Sequence, residues 1–180
     1  MKNVLIGGIG NVLLGDDGVG PYVVRLLAAQ YEFESGVEIA DLGTPALDLV
    51  DEISGRDAVI LIDSVEDNAA PGTLLIYSKE DIVRLGSSAR MDTHSPALVD
   101  TVLGAELLGI APRDLLLVGI RAESYDAGCR LSGPVNASVK DAIGTILRQL
   151  DELGVNYRRR EHAEDPGIWW ATPEAAGVPC

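Results

Sequence analysis

The run NVLIGGI at residues 3–9 decides the fold. It is a short apolar stretch ended by glycines, and it reads as a buried strand. The next amphipathic stretch opens at Pro21 and carries Val23, Val24, Leu26, Leu27 and Tyr31 at helical spacing, so strand, long loop and helix follow one another. A second strand, VEIADL at 37–42, leads through Gly43 to Thr44, read as an N-cap, with Pro45 in the first turn of ALDLVDEI. The third strand is AVILIDS at 58–64. GTLLIYS at 72–78 follows after only residues 65–71, whereas a parallel return needs a crossover of about a dozen residues. Those two strands therefore pair antiparallel if they are neighbours, and the sheet is mixed. A short helix at 79–85, a polar loop GSSARMDT, a helix at 96–109 opened by Ser95 and Pro96, a strand LLLVGIRA at 115–122 and a helix at 135–153 complete the rhythm. The fold class is α/β: a three-layer domain with a twisted, mixed, mostly parallel sheet of about five strands and helices on both faces.

Composition agrees. A chain of 180 residues fits one domain, and 47% hydrophobic residues with a single Phe call for an interior of Val, Ile, Leu and Ala, typical of helix-covered parallel strands. The domain is expected over 1–156. From Tyr157 the periodicity is lost, and 157–180 is expected to be an irregular tail carrying the pair Trp169-Trp170. The net charge of −14 repels phosphate backbones, and the basic run Arg158-Arg159-Arg160 is too short, beside Glu161, Glu164 and Asp165, to outweigh it. Nucleic acid is excluded as a partner. No apolar run approaches the roughly 20 residues that span a bilayer, so no membrane insertion is expected. Two cysteines, Cys129 and Cys180, make no disulfide framework by spacing, and a cytoplasmic location follows as the expectation.

In open α/β sheets ligands gather outside the carboxyl ends of the strands. Asp16 and Asp17 lie in the loop after the first strand, Asp63 ends the third, and His94 precedes the helix at 96. Two carboxylates and an imidazole suit a borderline divalent ion such as nickel or zinc, because they are oxygen and nitrogen donors that leave coordination positions open. Each residue alone has a plainer explanation: Asp17 as an acceptor in a glycine-rich turn, Asp63 as a turn-forming strand end, His94 as a surface histidine. Only the constellation favours chemistry.

The segment GIGNVLLGDDGVGP (8–21) resembles the signature of the nickel-iron hydrogenase maturation endopeptidases, G-x-G-N-x-L-x-x-D-[DE]-x-x-G. The strand-end aspartate in LIDS, the histidine in DTHSP, the D-x-G-T element at 41–44 and LLLVGIRAES are similar to that family in order and spacing, over residues 1 to 154. The resemblance implies metal contacts from Asp17, Asp63 and His94, with Asp17 standing where many relatives carry Glu. It implies removal of a C-terminal extension from a hydrogenase large-subunit precursor after nickel insertion. Nickel would arrive with the precursor, and zinc or cadmium could substitute for it; the enzyme is expected to be a monomer. Gly10, Asn11, Asp16, Gly18, Gly43 and Thr44 are the expected cleft loops.

Three other readings compete. Gly8-Ile9-Gly10 after a strand suggests a dinucleotide-binding protein, but Leu13 stands where the third glycine belongs and the helix starts too late to receive a pyrophosphate. The GxGN loop also resembles peptidyl-tRNA hydrolases, which place a histidine soon after it, and none is present. A non-catalytic partner-binding protein draws support from Trp169-Trp170.

Overall fold

The computed structural model describes residues 2–45, 48–86, 95–168 and 170. The elements in chain order are β1 (Val4–Ile9), a 3-10 turn (Gly15–Gly18), α1 (Val19–Gln30), β2 (Tyr31–Phe33), β3 (Val37–Gly43), α2 (Leu49–Ile53) and β4 (Ala58–Val65). They continue with β5 (Leu74–Ser78), α3 (Lys79–Gly86), α4 (Ser95–Leu108), β6 (Asp114–Arg121), α5 (Gly133–Glu152) and β7 (Tyr157–Arg159).

The main sheet has the order β3-β1-β4-β6-β5, parallel from β3 to β6. On its edge β5 runs antiparallel to β6. The mixed character matches the sequence reading, but β5 neighbours β6 and not β4. The short connection, residues 66–73, reaches past β6 to the outer edge as readily as to an adjacent position, and the sequence distinguishes direction, not neighbour.

Helices cover both faces, which is why β1 and β4 read as continuous apolar runs. Alternate residues of β4 sort cleanly: Ala58, Ile60 and Ile62 join α1 and α5 in one buried cluster, whereas Val59 and Leu61 join α2, α3 and α4 in the other. Each fully buried Ile or Leu of these layers contributes roughly 1.5–3 kcal/mol. Helix α5 starts where its sequence provides an N-cap: the Ser132 hydroxyl accepts from the Val135 N–H, and Pro134 occupies the first turn.

Three expectations are corrected. Helix α2 is short and begins after Asp48, whose side chain makes no capping bond, rather than at Thr44; it buries only Leu49 and Ile53, and tertiary contact rather than propensity sets the length of so small a helix. The stretch from Tyr157 begins as a strand: β7 pairs antiparallel with β2, the rings of Tyr31, Phe33 and Tyr157 cluster, and Arg158 and Arg160 both pair with Glu32. Cys129 is buried and disulfide-bonded, where sequence spacing had suggested no such link; spacing along the chain does not report distance in space. Among the described residues no helix is long and apolar enough to cross a membrane.

Candidate active site at the strand ends

Strand β1 is flanked by β3 on one side and β4 on the other, so successive crossovers depart in opposite directions and leave a crevice at the carboxyl ends of β1 and β4. Pairing of β1 with β4 stops at Gly8–Ile62, while β4 continues through Asp63, Ser64 and Val65 against β6. The loop after β1 drops into the space β1 vacates. Only glycine allows it to come so close. Gly10 has φ of 137°, and a Cβ there would lie 1.7 Å from the Asp17 carbonyl oxygen. A Cβ on Gly20 would lie 2.1 Å from the Ile9 oxygen and 2.5 Å from the Ile62 oxygen. The first turn of α1 thus seats directly on the strand ends.

Asp16 and Asp17 occupy the 3-10 turn, and both are only 1% exposed. Successive side chains of a 3-10 turn diverge by roughly 120°, so the two carboxylates face different surroundings. Asp16 accepts from the backbone N–H groups of Glu123 (2.8 Å), Ser124 (3.2 Å) and Ser132 (2.6 Å). It clamps the β6–α5 connection against the loop after β1, and the Asp16 N–H and Ser124 carbonyl add a bond beside it. Asp17 turns to β4: its Oδ1 accepts from the Ser64 hydroxyl at 2.9 Å, and its Oδ2 from the Asn11 N–H at 2.8 Å.

Asp63 immediately precedes Ser64 on β4. Burial raises its carboxyl well above the usual carboxylate range, the negative charge of Asp17 raises it further, and a backbone hydrogen bond at Ser64 opposes both in part. The half-buried Tyr125 lies on the connection that Asp16 clamps and near the Ser64 side chain. Burial is the main reason its phenol is held above the usual tyrosine value; the neighbouring Ser64 hydroxyl opposes this in part, and the charges of Glu66, Asp17 and Asp63 add to the rise. Two carboxylates close enough to feel each other, in a poorly hydrated crevice, form a site that a cation would stabilise.

Asp17 and Asp63 lie near enough for the charge of Asp17 to raise the Asp63 carboxyl. His94 lies outside the described residues; the described chain resumes at Ser95, the first residue of α4. Among the described residues no three His, Cys, Asp or Glu side chains are grouped to hold a metal ion. Of the expected cleft loops, Gly10, Asn11, Gly43 and Thr44 line one cleft of about 300 Å³, shared with Arg25, Asp41 and Trp170. Trp170 is buried and lies 5.8 Å from the Arg25 guanidinium, so this part of the stretch after 157 packs back on the domain; Trp169 lies outside the described residues. Asp16 and Gly18 are not among the residues lining that cleft: both are buried, Asp16 as the clamp and Gly18 at the junction with α1. Ser64 and Tyr125 escaped the sequence reading. The serine next to a candidate ligand was a usable signal, because alternation along β4 puts residue 64 on the α1 face; a tyrosine in an irregular connection offered none.

The sequence model of the family described as hydrogenase maturation protease matches residues 21–149. The hydrogenase expression/formation protein HupM of Azotobacter chroococcum mcd 1 is 39% identical over 160 residues, 88% of this chain and 77% of that protein. The hydrogenase 2 maturation protease of Escherichia coli K12 is 32% identical over 163 residues, 90% of this chain and 99% of its relative. The solved structure of the hydrogenase maturating endopeptidase HybD from E. coli superposes with a TM-score of 0.82 at 32% identity, covering 89% of this chain and 98% of that one. On the family model over residues 21–149, these relatives and the shared fold, the chain belongs to the hydrogenase maturation protease family.

Proposed function

We propose that this protein removes a C-terminal extension from a nickel-loaded hydrogenase large-subunit precursor, and that Asp17, Asp63 and His94 read the nickel as the licence to cut. The observation that carries this reading is that the charge of Asp17 acts on the carboxyl of Asp63 at the strand ends. Asp63 is desolvated and repelled by its neighbour, so its ionised form is disfavoured until a positive charge arrives. A divalent ion presented by the precursor relieves both penalties at once. A precursor without metal leaves them in place, so docking discriminates between the two forms by the difference in their affinities. An imidazole from His94 completes a donor set of oxygen and nitrogen that suits nickel, and zinc or cadmium by the same chemistry.

The precursor's nickel is part of the substrate and supplies polarisation of the scissile carbonyl. The protein's share is geometric. Asn11 and Ser64 hold the Asp17 carboxylate, Gly10 lets the loop approach the strand ends, and the cleft beside Gly43 and Thr44 offers room for an extended segment.

Substitution tests the assignment residue by residue. D17A, D63A and H94A should each lower processing of the nickel-loaded precursor by roughly 100-fold or more. Unchanged processing by folded H94A would remove the imidazole from the mechanism, and unchanged processing by D63A would remove the reading as a whole.

A further inference from the structure

The stretch after β7 does not leave the domain; it follows α1 back towards the strand ends. The Arg160 N–H donates to the Gln30 carbonyl at the end of α1 (2.8 Å), and the Glu164 N–H donates to the Ala29 carbonyl (2.9 Å). The side chains of Arg160 and Glu164 also pair with each other at 2.9 Å. By Gly167 the chain has reached Arg25, since a Cβ there would lie 3.5 Å from the Arg25 Nη1. Trp170 then packs on the same guanidinium, 5.8 Å from its ring centre and within cation–π range. From Gln30 to Arg25 is more than one helical turn, taken in the direction of the rim where α1 begins.

There Trp170 lines the cleft of about 300 Å³ with Gly10, Asn11, Arg25, Asp41 and Gly43. Only 4% of the tryptophan is exposed, so the indole bounds that space as a packed wall. Gly10 and Gly43 bring no side chain, and the Gly10 N–H donates to the Gly43 carbonyl at 2.7 Å, which fastens the loop after β1 to the end of β3. Arg25 lies 3.4 Å from the Asp41 carboxylate, so the charges on the lining offset each other. Asn11 belongs to the cleft and to the crevice at once, because its N–H holds Asp17. A segment lying in the cleft therefore runs beside Asp17, and the indole limits its bulk.

We propose that Trp170 is a specificity-determining residue, the wall that fits the cleft to a compact, uncharged stretch of the precursor's C-terminal segment. Trp170 lies beyond residues 21–149, which the family model matches, so this wall comes from outside the matched region.

This inference rests on the proposed function, and the experiment separates the two. Wild-type, W170A and W170F are compared as full chains on nickel-loaded precursor, and on precursors carrying single tryptophan substitutions along the C-terminal segment. W170A should raise KM for the unaltered precursor roughly 10-fold or more, with kcat little changed, because a wall binds ground state and transition state alike. W170F, which keeps a flat ring, should recover most of the affinity. On the wild-type protein at least one bulky precursor substitution should block cleavage, and W170A should relieve that block by opening the space. An unchanged KM in folded W170A, or the same substitution pattern in both proteins, overturns the inference. If W170A does not fold, fluorine NMR decides: fluorotryptophan incorporated into W169F leaves Trp170 as the sole reporter. Its resonance should shift with saturating nickel-loaded precursor, and an unmoved resonance overturns the inference. A wild-type protein that neither binds nor cleaves the precursor defeats the proposed function, and the wall falls with it.

Discussion

Asp16 and Asp63 are carboxylates of one crevice with opposite environments, and their substitutions should move stability in opposite directions. Asp16 satisfies three backbone N–H groups while buried, so D16A strands them and should cost at least about 3 kcal/mol in urea unfolding. A loss under about 1 kcal/mol would contradict the clamp. Asp63 is held above its unfolded value, so between the two values the native state binds the extra proton and stability falls as pH rises. D63N removes that dependence. The metal-free variant should melt higher than the parent at pH 7, with the gain vanishing as pH falls towards the ordinary carboxylate range, while cleavage is lost. A variant that melts lower at pH 7 by a pH-independent margin would show that Asp63 is a structural residue. The contrast also marks what residue types alone disclose. The GDDG segment shows two acids side by side, and only the 3-10 geometry, with neighbours roughly 120° apart, assigns one to the frame and the other to the site. Ser64 was within reach of strand alternation once Asp63 had been singled out.

At the scale of elements, glycines that look alike in sequence differ by what surrounds them. G20A drives a methyl group into the backbone oxygens of Ile9 and Ile62 and should unfold the seat of α1, whereas Gly104 in α4 has open space around it. G104A should therefore stabilise the protein by roughly 0.5–1 kcal/mol. Chemical denaturation of both variants tests this, and a stable G20A protein would refute the close approach. Helix α3 begins with a reciprocal cap: the Ser78 N–H and hydroxyl both donate to Asp81, and the Asp81 N–H donates back to Ser78. The two Ser78 bonds hold Asp81 below the usual carboxylate value. Its stabilisation is therefore present above the unfolded value and lost as pH falls through the lowered one. D81A should reduce the melting temperature at pH 7 and have a shrinking effect towards pH 3; an effect that grows on acidification would contradict the cap. Long elements with a period were legible: β1, α1, β3, β4, α3, α4, β6 and α5 all stand within a few residues of where the pattern put them. Strands β2 and β7 were not, because three residues carry no period, and their pairing joins positions far apart in the chain.

For the whole molecule, the sequence carried the layer architecture, since apolar runs covered on both faces admit few alternatives, and it carried the rim at the carboxyl ends of the strands, since parallel strands deliver their ends to one side. It did not carry the clamp between the β1 and β6 connections, which depends on backbone N–H groups that every residue possesses. On the proposed function, two carboxylates in one crevice favour a substrate that has already received a metal. The direct measurement is mass spectrometry of the precursor's C-terminus after incubation of the protein with matched nickel-loaded and nickel-free forms. Removal of the extension from the nickel-loaded form alone is the expected result; equal removal from both forms, or from neither, would contradict metal-gated cleavage.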